Sequence, residues 1–317
     1  MIYPLARRYN EGCRIHGLSR LWRAEEKITV RIFSKLAALL KHERGKGLLG
    51  AYAILGEPIA ESPMSTVYKA QSRDSGGRMV AVKVLKDSAA RVAHRLSTQL
   101  GKQWEGERAI GLVHPNVVRT IECGCDSGSY FIVMEFVDGH NLASLIYGAS
   151  PLLEGRRIDI IRQIVQGLAY IHGQGLIHRD ICPRNVLLDA AGHARLIDFG
   201  VAVSLSDKLL NTGRRTGRPS YMAPELIRDN IFDARTDLYA LGVTMYEICT
   251  GAKPLAGTNR YEKMRLHLYS SPTPPADVNK CVPMALSSMI VRCLAKDPEQ
   301  RFQKAEDLLK ELPDEPF

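Results

Sequence analysis

No apolar run in these 317 residues is long enough to cross a bilayer, which takes about 20 predominantly apolar residues in a helix. The N-terminus is basic from its start and no apolar core follows, so no secretory leader is expected. Cysteine is present but unpatterned: of the seven, Cys123 and Cys125 are separated by a single residue, too close for an ordinary zinc knuckle, and no second Cys/His pair follows. Scattered thiols of this kind fit a reducing compartment, and a cytoplasmic location is expected. No internal repeat or low-complexity tract appears. Acidic residues are in deficit, and the net charge of +9 is unevenly placed. Residues 1–50 hold eleven Lys/Arg against four Asp/Glu, which leaves the remainder near neutrality. A basic segment can meet nucleic acid, anionic lipid or an acidic partner, but a solvated helix face is the simpler reading. No nucleic-acid motif or interleaved aromatic set is found, so no nucleic-acid partner is expected.

One stretch organises what is present: residues 176–200, LIHRDICPRNVLLDAAGHARLIDFG. Asp180 is a carboxylate suited to take a proton from an attacking hydroxyl. Asn185 is a neutral oxygen ligand and Asp198 a second carboxylate, a pair that suits Mg²⁺ held against phosphates. His178-Arg179-Asp180, Asn185, Asp198-Phe199-Gly200 and, beyond them, Ala223-Pro224-Glu225 stand in an order and spacing that resemble the catalytic core of protein kinases. The resemblance covers residues 52 to about 311 and is strongest to the eukaryotic-type serine/threonine protein kinases of bacteria. It implies an α+β, bilobal protein-kinase-like fold, with a small β-rich N-lobe carrying one regulatory helix and a larger α-helical C-lobe. The expected division is a basic extension over 1–51, an N-lobe over 52–137 and a C-lobe over 138–317.

Taken in order, residues 25–44 read as an amphipathic helix whose stripe is Ile28, Ile32, Phe33, Leu36, Leu39 and Leu40. The stripe needs a surface. Packing on the first lobe is favoured, with a partner or a membrane face as the alternatives. From Tyr52 the pattern becomes strands joined by a tight turn. By resemblance this is the phosphate-covering loop, with Ala60, Ser62 and Ser65 at its three glycine positions and Val67 as its valine. Glycine there lets backbone N–H groups close on phosphates, so its loss costs some backbone shapes. The hydroxyls of Ser62 or Ser65 are substitute donors.

Val80-Ala81-Val82-Lys83 reads as a buried strand, and a buried ammonium needs a partner. The resemblance makes Lys83 the α/β-phosphate lysine, paired with a glutamate on a helical segment over 89–112. Glu105 is at the family spacing and Glu107 is the runner-up; Gly101, Gly106 and Gly111 weaken that helix. Residues 130–137 read as a central strand. By resemblance Met134 is the gatekeeper, Glu135 and Val137 offer backbone to the adenine edge, Asn141 is a ribose contact, Leu187 is the floor under adenine, and Ala81 joins them in the nucleotide site. Asp138-Gly139 is expected as the turn that ends the first lobe. Helices are expected over 157–174, 238–250, 286–296 and 303–311, and a loop over 272–277.

The resemblance also implies roles in and around the activation segment. Glu225 pairs with Arg301, and Asp237 ties the catalytic loop to the central helix of its lobe. Thr212 and Thr216, beside Arg214 and Arg215, are candidate phosphorylation sites read by Arg179. Two departures stand close together: Cys182 replaces the family's lysine two after the catalytic Asp, and Arg218 replaces the threonine of a G-T-P motif. They suggest that Arg218 reaches Asp180 and supplies the missing charge, with Arg184 as a second candidate. Relatives often continue into a membrane span and a sensor domain; neither is expected here.

The resulting expectation is an enzyme that uses ATP and Mg²⁺ to phosphorylate protein serines and threonines, itself included. Catalysis would fall to Lys83, Glu105, Asp180, Asn185 and Asp198, with Asn185 and Asp198 on the metal. The alternative is a weak or inactive pseudokinase serving as a nucleotide- or protein-binding module. A small-molecule phosphotransferase is disfavoured by the APE-ended segment.

Overall fold

The β-branched and aromatic residues between positions 65 and 135 form an antiparallel sheet, as their side chains favour. The structure, a computed structural model, describes residues 48–74, 76–99, 103–126, 128–198, 203–204, 217–230, 232–314 and 317. Two compact units are distinguished, Met1–Ala53 and Ile54–Phe317. The first unit's described part is a 3₁₀ turn, Leu48–Ala51, and the start of strand Tyr52–Ile54 (β1). The helix expected over 25–44 lies outside the described residues.

The second unit opens with Ala60–Glu61 (β2), Ser65–Ser72 (β3), Met79–Leu85 (β4), Thr120–Asp126 (β5) and Ser129–Glu135 (β6). Their spatial order is β3-β4-β6-β5, with β2 paired to β3. Strand β4 is interior to the sheet. Val67 and Ile132 flank Lys83, while Met134 stands opposite Ala81. Because side chains alternate along a strand, Ala81 and Lys83 share one face. Val80 and Val82 fill the other.

The helix expected over 89–112 is instead broken. Asp87–His94 (α1) runs into a π-helical turn, Arg95–Gln99, and a separate single turn, Glu105–Ala109 (α2), follows. Glycine weakens the interior, as expected, but packing decides the break. The Trp104 ring is buried edge-on against Tyr130, and a Cβ on Gly106 would lie 2.6 Å from Cys123 Cβ. Those contacts seat α2 directly on the sheet.

After β6 the chain makes Gly139–Asn141 (β7), a strand where a turn was expected, then Leu142–Tyr147 (α3). Strand β7 pairs antiparallel with Val186–Asp189 (β9) in register Asn141↔Leu187. A Cβ at Gly139 would lie 2.3 Å from the Leu188 carbonyl oxygen, so only glycine permits this approach. Between them lie Arg157–Gly173 (α4) and Leu176–Ile177 (β8); Ala194–Leu196 (β10) completes the sheet order β10-β9-β7, and Val203–Ser204 (β11) pairs with β8.

The core of the helical part forms around α4 and Ala234–Thr250 (α6). Ile158, Ile161, Ile164, Val165, Leu168 and Ile171 recur at helical spacing on α4, and all are buried. Helix α6 is buried all round, as its nearly continuous apolar sequence requires. It starts at an Asp233/Thr236 capping box and stops at Gly251, whose φ of 74° is the left-handed C-terminal cap. Pro224–Arg228 (α5), Arg260–Tyr269 (α7), Met284–Cys293 (α9) and Ala305–Glu311 (α10) surround it. The loop expected over 272–277 contains a helical turn, Pro275–Val278 (α8), which Pro275 starts because a first-turn proline gives up no needed N–H.

Candidate active site

The stretch that the sequence singled out is a hairpin, β9 and β10, with a candidate carboxylate on each side of it in the chain. Asp180 precedes it and Asp198 follows it. Asp180 and Asn185 are locked together, because Asn185 Nδ2 donates to both the Asp180 carbonyl and Asp180 Oδ2 at 2.8 Å. Those bonds commit the nitrogen of the Asn185 amide and leave its carbonyl oxygen as the ligating end. Buried Asp237, on α6, accepts from the backbone N–H groups of His178 (2.8 Å) and Arg179 (2.7 Å) and bonds His172 Nε2 at 2.9 Å. Burial pushes the Asp237 carboxyl up, but the His172 bond and the neighbouring histidines more than reverse it, so its pKa lies below the ordinary value. The result holds Arg179 at φ 65°; Asp198 stands at φ 69°. Such left-handed residues cost about 1–3 kcal/mol and persist only when their surroundings fix them.

Lys83 joins the two halves of the site. Its ammonium bonds Glu105 Oε1 and lies 2.7 Å from Asp198 Oδ1. Burial pulls the Lys83 pKa down, but Glu105 and then Asp198 outweigh it and hold the group above its usual value. Glu107, the other acidic candidate, instead caps α2 by accepting from the Trp104 N–H at 3.1 Å. Trp104 itself carried no sequence signal beyond preceding Glu105; its burial is what fixes the glutamate's position.

Lys83 stands on the wall of a cleft of about 730 Å³. Its lining includes all eleven residues expected at the nucleotide: Ala60, Ser62, Ser65, Val67, Ala81, Lys83, Met134, Glu135, Val137, Asn141 and Leu187. Asn185 and Asp198 line it too. Two of these side chains already have structural duties. Asn141 Oδ1 accepts the Ser144 N–H at 2.9 Å and so caps α3. The Glu135 carboxylate accepts from the Arg119 N–H and meets Arg195 at 3.1 Å.

The glycine-poor loop avoids positive φ at Ala60, Ser62 and Ser65. Ser62 closes its tip from within. Its hydroxyl accepts from the N–H groups of Met64 (3.2 Å) and Ser65 (3.0 Å), and its own N–H donates to the Ser65 carbonyl at 2.9 Å. The sequence suggested serine hydroxyls as donors; here the Ser62 oxygen is chiefly an acceptor inside the turn.

Two further expectations from the sequence meet in space. Arg301, fully buried, makes a two-pronged pair with Glu225, both contacts at 2.8 Å. Arg218 Nε lies 3.3 Å from Asp180 Oδ1, while Cys182 is buried with no exposure. Arg179 stacks its guanidinium over Phe232 at 4.2 Å. Phe199, Gly200, Thr212, Arg214, Arg215 and Thr216 lie outside the described residues.

The site thus holds a lysine tied to a glutamate and an aspartate, a second aspartate braced by an asparagine, and a cleft lined from both the sheet and the helical part. The family description "protein kinase domain" matches residues 56–312, and the chain belongs to that family. It is 33% identical to the serine/threonine-protein kinase PknB of Mycobacterium leprae over 81% of this chain and 42% of that protein. It is likewise 33% identical to the serine/threonine-protein kinase PrkC of Bacillus subtilis, over 83% of this chain and 40% of that one. The chain thus spans about two fifths of the length of these relatives. A crystal structure of Rad53 residues 1–466 with AMP-PNP is similar to it with a TM-score of 0.69 and 27% identity, covering 84% of this chain and 66% of that one.

Proposed function

We propose that this protein transfers the γ-phosphoryl group of ATP to serine and threonine hydroxyls of protein substrates, its own chain among them. The observation that carries the reading is the joining of Lys83 to both Glu105 and Asp198 on the cleft wall, with Asn185 and Asp180 alongside. Lys83, oriented by Glu105, would hold the α/β-phosphates. Asp180 would take the proton as the hydroxyl oxygen bonds to phosphorus and the bond to the β,γ-bridging oxygen breaks, releasing ADP. Adenine would lie between Val67 and Ala81 above and Leu187 below, against Met134, with the backbone of Glu135 and Val137 at its edge and Asn141 toward the ribose. The tip formed by Ala60, Ser62 and Ser65 would cover the phosphates.

The donor set fits Mg²⁺. The metal prefers one or two carboxylates with other oxygens and substrate phosphates, and Asp198 and the Asn185 carbonyl oxygen supply that on the cleft wall. Its charge would offset that of the phosphates. We assign 1–51 to a basic extension, 52–137 to the N-lobe and 138–317 to the C-lobe. Among the described residues no helix is long and apolar enough to cross a membrane. We place the reaction in the cytoplasm, with residues 25–44 as the surface for self-packing, a partner or a membrane face.

Saturating MgATP should raise the melting temperature, since a ligand bound only by the native state stabilises it. Radiolabel from ATP should then appear on the chain or on an added acceptor protein. No shift and no label would sink the reading.

Affinity for the nucleotide depends on the loop tip. Ser62→Gly should tighten MgATP binding about three- to tenfold, because the Met64 and Ser65 N–H groups leave the Ser62 oxygen and become available to phosphate. Calorimetric titration reads this directly, and unchanged or weaker binding removes the account.

A further inference from the structure

Two arginines border the cleft near the reacting groups, Arg184 and Arg218. Arg218 is the one in contact with Asp180: its Nε lies 3.3 Å from Oδ1 and 3.4 Å from Oδ2. It also lines the small pocket that holds Asp180 beside the main cleft, so one side chain is common to both spaces. Its side chain is 41% exposed, which keeps part of the guanidinium hydrated while Asp180 braces the rest.

The mount is rigid. Gly217 stands at φ 112°, with the Arg179 carbonyl 3.5 Å from where a Cβ would be, so the backbone runs close to the catalytic loop. Arg218 then begins a 3₁₀ turn, Pro219–Tyr221, and its carbonyl accepts the Tyr221 N–H at 2.9 Å. The proline restricts Arg218 to the extended conformation it adopts.

Among the described residues, Arg184 also borders the cleft, but Arg218 is the arginine that meets Asp180. Lys83 is committed to Glu105 and Asp198. Cys182 is neutral: burial, then the nearby Asp180, push its thiol up to about 12. A transferring phosphoryl group spreads negative charge over its oxygens and must approach a carboxylate that is itself ionised. Two anions brought this close are stabilised by a cation between them.

We propose that Arg218 takes part in the reaction: its guanidinium, braced on Asp180, is the cation that the transferring phosphoryl group meets on the acceptor side of the cleft. The proposal rests on the phosphotransfer reading above. Arg218 keeps its protons throughout, so the bonds made and broken are unchanged.

The test compares wild type with Arg218→Gln and Arg218→Lys, with melting temperatures confirming that all three fold. Arg218→Gln is expected to lower kcat about a hundredfold. KM for ATP should change by less than about threefold. Arg218→Lys should recover at least about tenfold, since a cation is restored. Wild-type kcat in Arg218→Gln would overturn the proposal. So would a loss that Lys does not relieve, because that is the mark of a structural role. A second measurement reads the charge without turnover. MgADP with aluminium fluoride, a mimic of the transferring group, should bind wild type more tightly than Arg218→Gln, while MgADP alone binds both equally. Equal binding of the mimic overturns the Arg218 assignment. A wild type that binds MgATP but labels no acceptor overturns the phosphotransfer reading instead.

Discussion

Asp180→Asn is expected to lower kcat by about three orders of magnitude while leaving the MgATP-induced rise in melting temperature intact. The substitution keeps the shape of the side chain and removes its basicity. Asp180 does not line the nucleotide cleft itself; it borders the small adjoining pocket. Nucleotide binding should therefore survive, because Lys83, Asn185 and Asp198 are untouched. Residual activity should also lose its acid limb, since an amide does not titrate in that range. Steady-state kinetics and thermal shift on one preparation check both halves. A kcat within about tenfold of wild type would remove Asp180 as the proton acceptor.

The largest effect on stability is expected at Glu225. Arg301 is 1% exposed and its guanidinium is fully engaged. Its Nη1 and Nη2 meet the Glu225 carboxylate, Nε donates to the Ala295 carbonyl at 2.8 Å, and Nη1 and Nη2 also reach the carbonyls of Arg235 and Lys296. The carbonyls cannot neutralise the cation; Glu225 is the carboxylate in direct contact with it. Glu225→Gln leaves a buried charge without its counterion, at a cost of about 3–5 kcal/mol. In a domain of this size that is a fall in melting temperature on the order of 10 °C. Replacing both partners, as in Glu225→Met with Arg301→Met, should cost less than the two single changes together, because no charge is left stranded. Strict additivity in calorimetry would show that the two side chains do not act as a pair. The pair fixes the start of α5 to the loop before α10, so its loss should also loosen the segment that carries Arg218.

What the sequence made legible was the chemistry that tolerates few substitutes. A proton acceptor, oxygen ligands for a hard cation and a buried ammonium with its partner each demand particular side chains. Their spacing, through its resemblance to the protein-kinase core, marked Asp180, Asn185, Asp198, Lys83 and Glu105 as candidates, and the structure joins Lys83 to Glu105 and Asp198, and Asn185 to Asp180. Helix α4 was legible for a different reason: six apolar residues on one face leave few alternatives. Features set by tertiary contact were not legible. Nothing local announces that Trp104 and Gly106 seat a single helical turn on Tyr130 and Cys123, so the segment read as one weak helix. The inward role of the Ser62 hydroxyl depends on a turn geometry that glycine spacing alone does not reveal. Asn141 carries a second signal besides its family position, for an asparagine just ahead of an apolar run is a helix-cap pattern.

The bend at Arg179 has its mould elsewhere in the chain. The φ of 65° is a shape that an arginine disfavours by itself, and the carboxylate of Asp237 holds it by accepting two successive backbone N–H groups. Each such charge-assisted bond contributes about 1.5–3 kcal/mol, enough to offset the strain. The loop is in this sense a casting and α6 is the die. Residues 176–198 moved alone onto another scaffold would carry Asp180, Asn185 and Asp198 without the carboxylate that shapes their loop. An engineer who wishes to transplant the reaction must move a helix that meets neither nucleotide nor acceptor.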